Sequence, residues 1–319
     1  MTDASTGAGR KGRFTGAWKG ALCVLVLLAA VLSCILALCP GAAATAKNTA
    51  YGLYLRTVVG MPGAGDTHRF LQNGGWTSPN AYIAHGGGIG QYALHNSVEA
   101  AEDSIRRGFR FIEFDLLVTT DGHLAAAHSW AEMKRMAGAP VSNEPLSLQE
   151  VRALSIPGKF TPATGEDIRR LLEQHPQLVL VTDRIQDYEL LLKEIPHPQR
   201  MIVECTRGKA SYVNALKAGV LYPSMSVQTA SMMKLAYDAG IPIISLKDDN
   251  FFSTPQGIEE VRRLHDKGIT ILLFNYSGSA YWDTPEFIKA HLGKTFSMIY
   301  SDSWGPDSIP PSNISQDRS

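Results

Sequence analysis

Glu113 and Asp115 stand one residue apart in the mostly apolar run Phe109–Leu116. On a strand, side chains two positions apart project to the same face, so this spacing brings two carboxylates together. Two such charges repel unless a cation compensates them, and an oxygen-only donor set suits Ca²⁺ or Mg²⁺. Asp183, at the end of the run Leu178–Asp183, supplies a third carboxylate. His85 precedes three consecutive glycines, which leave room for a ligand to come close. His128 follows the small-residue run Leu124–Ala127. Two histidines at one rim could serve as base and acid near neutral pH. The plainer alternatives are a salt bridge from the carboxylate pair to Arg184, a structural His85, a core role for His128, a loop cap at Asp183, and a surface position for His95 beside Asn96, which reads as a helix N-cap.

These residues need elements to hold them. Apolar runs at Ala81–His85, Phe109–Leu116, Leu178–Asp183, Met201–Cys205, Val220–Ser226, Ile241–Leu246, Ile269–Phe274 and Phe296–Ser301 read as strands. Helical stretches fall between them at Asn96–Arg107, Gly165–Gln174, Lys209–Ala218, Ala230–Ala239, Gln256–Lys267 and Glu286–Leu292. Gly108, Gly219, Gly240 and Gly268 stand where helix C-caps are expected. Strand and helix in regular alternation predict a parallel sheet, and eight strands predict a closed (β/α)₈ TIM barrel. In that fold the site lies at the C-terminal ends of the strands, where the sequence places His85, Glu113, Asp115, Asp183, Arg184, Glu204, Lys247 and Asn275. Glu204, Lys247 and Asn275 read as pocket lining. The turn Thr119–His123, with Asp121-Gly122, closes a hairpin that returns His128 to the same rim.

Hydrophobic residues make up 45% of the chain and charged residues 19%, which fits a packed globular protein and excludes a disordered one. Thirty basic residues balance thirty acidic ones, so the chain lacks the surplus that nucleic-acid binding usually needs. Cys23, Cys34 and Cys39 fall in one apolar run, which leaves Cys205 alone in the folded part and excludes an internal disulfide or a cysteine zinc site there.

That run, Ala21–Cys39, is uncharged and follows Arg10, Lys11, Arg13 and Lys19. Its length is about that of a membrane span. It reads as an uncleaved transmembrane anchor or as a signal segment cleaved after Ala46 at the pattern Ala44-Thr45-Ala46. Either way the positive flank stays cytoplasmic and the remainder is extracytoplasmic, membrane-anchored in one case and secreted in the other. The expected organisation is a basic cytoplasmic segment (1–20), the anchor or signal (21–39), a linker with a short helix (40–78), the barrel (79–302) and a flexible tail (303–319).

The stretch from Ile83 to Trp130 resembles the glycerophosphodiester phosphodiesterase family, within the phosphatidylinositol-phospholipase-C-like barrel superfamily. The matching residues are His85, Asn96-Ser97, Gly108, Ile112-Glu113-Phe114-Asp115, Thr119-Thr120-Asp121-Gly122 and His128-Ser129, with Ile299-Tyr300-Ser301-Asp302 like the family's last strand. The chain departs where the family's arginine after the first histidine is Gly86, where its box glutamate is His95, and where its third-strand Glu-x-Lys is Thr182-Asp183-Arg184. A divergent branch with a different head group is what these departures imply. The resemblance implies a metal-dependent phosphodiesterase with Glu113, Asp115 and Asp183 on the metal and His85 and His128 in catalysis. Arg184, His95, Glu204, Lys247 and Asn275 would meet the substrate, with Arg184 or Lys247 replacing lost positive charge. The expected substrate is a lipid head group or a phosphodiester-linked glycan; the competing reading is a barrel that binds such a ligand and has lost catalysis.

Overall fold

The computed structural model describes residues 40–63, 67, 71, 78–156, 160–247, 251–274 and 285–307. The chain divides into two compact units, Met1–Asn48 and Thr49–Ser319. Helix α1 spans Pro40–Tyr54. Among the described residues no helix is long and apolar enough to cross a membrane, and the Ala21–Cys39 run lies outside them.

The second unit is the predicted barrel. Eight parallel strands form it: β1 (Tyr82–Ala84), β2 (Phe111–Val118), β4 (Val179–Asp183), β5 (Met201–Cys205), β6 (Tyr222–Val227), β7 (Ile243–Lys247), β8 (Thr270–Phe274) and β9 (Met298–Ser301). β1 pairs with both β9 and β2, which closes the ring. A further short strand, β3 (Leu124–Ala126), runs antiparallel to the end of β2, with Leu116 opposite Ala126. The turn between them carries Gly122 at φ 78°, a left-handed position that glycine adopts without a Cβ clash. The hairpin read from Asp121-Gly122 therefore forms as expected.

Around the ring lie α2 (Val98–Arg106), α3 (Trp130–Met136), α4 (Leu148–Ala153), α5 (Gly165–Gln174), α6 (Tyr188–Glu194), α7 (Gly208–Ala218), α8 (Ala230–Ala239), α9 (Pro255–Asp266) and α10 (Pro285–His291). Side-chain oxygens start many of them. Thr164 accepts from the Asp167 N–H while the Asp167 carboxylate accepts from the Thr164 N–H, a reciprocal cap on α5. Ser97 caps α2 by accepting from the Ala100 N–H at 3.2 Å, so the cap is one residue later than the expected Asn96.

Period-two alternation explains why the lumen is apolar at one end and charged at the other. The inward rows begin with Ile83, Phe111, Val179, Val181, Ile202, Ile243, Leu272 and Met298, which pack as one buried cluster with Leu71 and Tyr300. Two residues further along the same rows stand His85, Glu113 then Asp115, Asp183, Glu204, Ser245 then Lys247, Phe274 and Tyr300. Burying each large apolar side chain contributes about 2 kcal/mol, and that apolar floor holds the rim in place. The outward rows pack under the helices, as with Ile112, Phe114, Leu180 and Val203. The segment expected as a linker also contributes core: Leu55, Met61 and Leu71 are buried.

Candidate active site

At the C-terminal ends of the strands a cavity of about 310 Å³ is lined by His85, Glu113, Asp115, His128, Asp183, Arg184 and Glu204, with Thr206, Ser226, Gln228, Phe274 and Tyr300 on its other side. Register places the acids side by side: in the β2–β4 pairing Asp115 lies opposite Asp183. Carboxylate oxygens of Glu113, Asp115 and Asp183 come within 4.8 Å of one another.

Each acid is held separately. The Gly86 N–H donates to Glu113 Oε2 at 2.7 Å. Asn96, buried behind the pair, donates from Nδ2 to Asp115 Oδ2 at 3.0 Å and accepts at Oδ1 from the Asp115 N–H at 3.0 Å. Such a double bond to one residue fixes both the backbone and the carboxylate plane. Asn96 itself is tied down, its N–H donating to the Gly86 carbonyl at 2.6 Å. Burial, then the charges of Asp115 and Asp183, pushes the Glu113 carboxyl well above its ordinary range. Burial followed by repulsion from Asp115 and Glu204 does the same to Asp183. Asp183 Oδ1 is buried with no hydrogen-bond partner. A cluster with surplus negative charge and an orphaned carboxylate oxygen fits a hard divalent cation, which would take Glu113, Asp115 and Asp183 as oxygen donors.

His85 stands where β1 ends, and its Nδ1 lies 2.9 Å from Asp302 Oδ1, just beyond β9. A carboxylate on Nδ1 fixes the tautomer and leaves Nε2 as the acceptor. The His85 ring meets Tyr300 edge-on at 5.5 Å between centroids. Tyr300 in turn donates its hydroxyl to Glu204 Oε1. Burial pushes the Glu204 carboxyl up to about 7. Across the mouth, the Ala127 N–H bonds the Asp115 carbonyl at 2.8 Å and so presents His128 beside the acids. His128 Nδ1 lies 3.1 Å from Glu132 Oε2, and its Nε2 contacts an Arg184 terminal nitrogen. Arg184 also places Nε 3.4 Å from Asp115 Oδ1 and 3.7 Å from Asp183 Oδ2.

The structure thus gathers His85, His128, Glu113, Asp115, Asp183, Arg184 and Glu204 at one mouth. It places His95 elsewhere: that ring packs edge-on against Phe160 at 4.5 Å and lines a small neighbouring cavity. Burial lowers its pKa, which favours the neutral ring. Lys247 ends β7 but does not line the 310 Å³ cavity. Asn275 lies outside the described residues. Two residues of the site were not singled out from sequence as functional. Asn96 reads as a cap, though it stands in the motif of the resemblance, and Asp302 enters only as the end of the family-like last strand Ile299–Asp302.

Gly86, where the family's arginine is absent, cannot carry a side chain on this backbone. Its φ is 58°, and a Cβ there would stand 2.4 Å from Leu94 Cα.

A parallel (β/α)₈ barrel with an acidic cluster that could hold a cation and two histidines at its mouth defines the class. The Glycerophosphoryl diester phosphodiesterase family model matches residues 85–233, from His85 into the first turn of α8, and this part of the chain is similar to that family. Its members are phosphoric diester hydrolases. Among solved structures, a glycerophosphoryl diester phosphodiesterase from Parabacteroides distasonis ATCC 8503 is similar at a TM-score of 0.60 and 18% identity, over 78% of this chain and 90% of that one. A glycerophosphodiester phosphodiesterase from Agrobacterium tumefaciens str. C58 gives 0.55 and 15%, over 72% and 98%. An Oleispira antarctica phosphodiesterase in complex with the product sn-glycerol-3-phosphate gives 0.56 and 13%, over 72% and 94%. At these identities the likeness shows the fold. A comparison with curated proteins finds no match.

Proposed function

We propose that this barrel hydrolyses phosphodiesters of the glycerophosphodiester type, with Ca²⁺ or Mg²⁺ held by Glu113, Asp115 and Asp183. The single observation that carries the reading is the meeting of three carboxylates with two carboxylate-backed histidines at one cavity. The glycerol-3-phosphate complex of the Oleispira antarctica relative supports a substrate of this class, on a lipid head group or a phosphodiester-linked glycan.

A divalent cation bound there neutralises phosphate charge and makes phosphorus more electrophilic. His85 Nε2, left as an acceptor by the Nδ1 bond to Asp302, takes the proton from the attacking water or from a hydroxyl next to the phosphate. His128, backed by Glu132, gives a proton to the leaving oxygen. Arg184 and Glu204 line the space that the head group enters, and Thr206, Ser226 and Gln228 offer hydroxyl and amide groups to a polyol. The uncharged Ala21–Cys39 run and its basic flank support an extracytoplasmic location, membrane-anchored or secreted.

A panel of glycerophosphodiesters and bis(p-nitrophenyl) phosphate, with added Ca²⁺ or Mg²⁺, tests this. Cation-dependent turnover of at least one diester is expected. Inactivity across the panel overturns the reading.

A further inference from the structure

Among the described residues that line the cavity, Arg184 is the one lysine or arginine, facing Glu113, Asp115, Glu132, Asp183 and Glu204. It is also one of the few non-glycine residues with positive φ, at 60°, in the tight turn that follows β4 and in which the Ile185 N–H bonds the Asp183 carbonyl at 2.6 Å. A left-handed conformation is strained for an L-residue, so the position persists because its surroundings fix it. What that backbone achieves is the aim of the guanidinium. It reaches Asp115 Oδ1 and Asp183 Oδ2 with Nε, and His128 Nε2 with a terminal nitrogen.

We infer that Arg184 is the internal counter-ion of the acidic cluster, displaced by the divalent cation and thereby released to bind the substrate's phosphate. A guanidinium and a divalent cation drawn to the same Asp115 and Asp183 carboxylates repel each other and compete for their charge. With Arg184 in place, His128 Nε2 accepts a hydrogen bond and cannot hold the proton that a leaving oxygen needs. Displacement therefore does two things at once. It delivers a planar donor group to the phosphate, which guanidinium binds through paired N–H groups, and it frees His128 Nε2. The cation binds first and the phosphate second, because the arginine serves the phosphate only after it has left the acids. Gly86, with no room for a side chain, cannot supply a second positive group from the other side of the mouth.

This inference rests on the cation site of the proposed function, and its test separates the two. Calorimetric titration of Mg²⁺ and of Ca²⁺ into substrate-free wild type, Arg184→Gln and Arg184→Lys proteins reads the competition. Inorganic phosphate titrated into the cation-loaded proteins reads the clamp. Melting curves confirm that each variant is folded. Arg184→Gln is expected to bind the cation about tenfold more tightly and phosphate about tenfold more weakly than wild type. Arg184→Lys, which keeps the charge without the planar fork, should fall between for both ligands. Unchanged or weaker cation binding by Arg184→Gln overturns the inference and leaves the cation site standing. Absence of cation binding by all three proteins overturns both.

Discussion

His85 Nδ1 and Asp302 Oδ1 meet 2.9 Å apart across the seam where β1 pairs with β9, the place where the barrel closes on itself. Residues from opposite ends of the barrel sequence thus form this pair, and under the proposed function it is the base. Asp302→Asn would leave the geometry and remove the charge that holds the tautomer. The expected result is a loss of about 10²-fold or more in kcat with the melting temperature little changed. A kcat within threefold of wild type would show that His85 does not act as the base.

His128 is assigned the proton for the leaving oxygen, and that role depends on the leaving group. His128→Ala should cost about 10²-fold or more with an alkyl alcohol leaving group and far less with p-nitrophenolate, which departs without protonation. Rates for both substrate types measured side by side decide it. An equal loss on both would place His128 in binding instead.

Asn96 makes both of its bonds to Asp115 from a buried position. Asn96→Ala should weaken divalent-cation binding by about 10- to 100-fold, as expected for a residue that orients a ligand without touching the ion. Titration calorimetry reads it directly, and unchanged affinity would mean that the Asp115 carboxylate needs no such support.

The acids set the pH response of the cation-free protein. Glu204 is raised from 4.5 to about 7, and Glu113 and Asp183 are raised as well. Between the unfolded and folded values the native state binds more protons than the unfolded one, so stability falls as pH rises. Glu204 alone amounts to about 3 kcal/mol over that window. The melting temperature with EDTA should therefore drop from pH 5 to pH 8. Added Mg²⁺ or Ca²⁺ should shrink the drop, since it favours ionised Glu113 and Asp183. A flat profile with EDTA would contradict the upward shift that burial imposes on these carboxyls.

Restoring an arginine at the position of Gly86 is expected to fail. Its φ of 58° and the 2.4 Å approach of a Cβ to Leu94 Cα predict a loss of about 2 kcal/mol or more in Gly86→Arg, read by denaturant unfolding.

Much of this was legible in the sequence for identifiable reasons. All eight barrel strands were anticipated because a barrel strand is a short apolar run, and α5 and α8 were anticipated to the residue, the latter closed by Gly240. The shared face of Glu113 and Asp115 follows from strand periodicity alone. The short helices α3, α4 and α6 were not anticipated, since six or seven residues barely establish a helical period. The pairing of His85 with Asp302 and the separation of His95 from the cavity depend on ring closure and on Phe160, neither of which is local in sequence. Asn96 was misread as a cap because an asparagine before a helix usually is one. Its φ of 50° turns the side chain to Asp115 and leaves the cap to Ser97.

The central claim is cation-dependent phosphodiester cleavage at the Glu113, Asp115 and Asp183 site, and ³¹P spectroscopy of a glycerophosphodiester incubated with the protein tests it most directly. With Mg²⁺ or Ca²⁺ the diester resonance should give way to a phosphomonoester, and EDTA or Asp115→Asn should stop the conversion. Cleavage undiminished by both EDTA and Asp115→Asn, or an intact diester in the presence of a bound cation, would contradict the account.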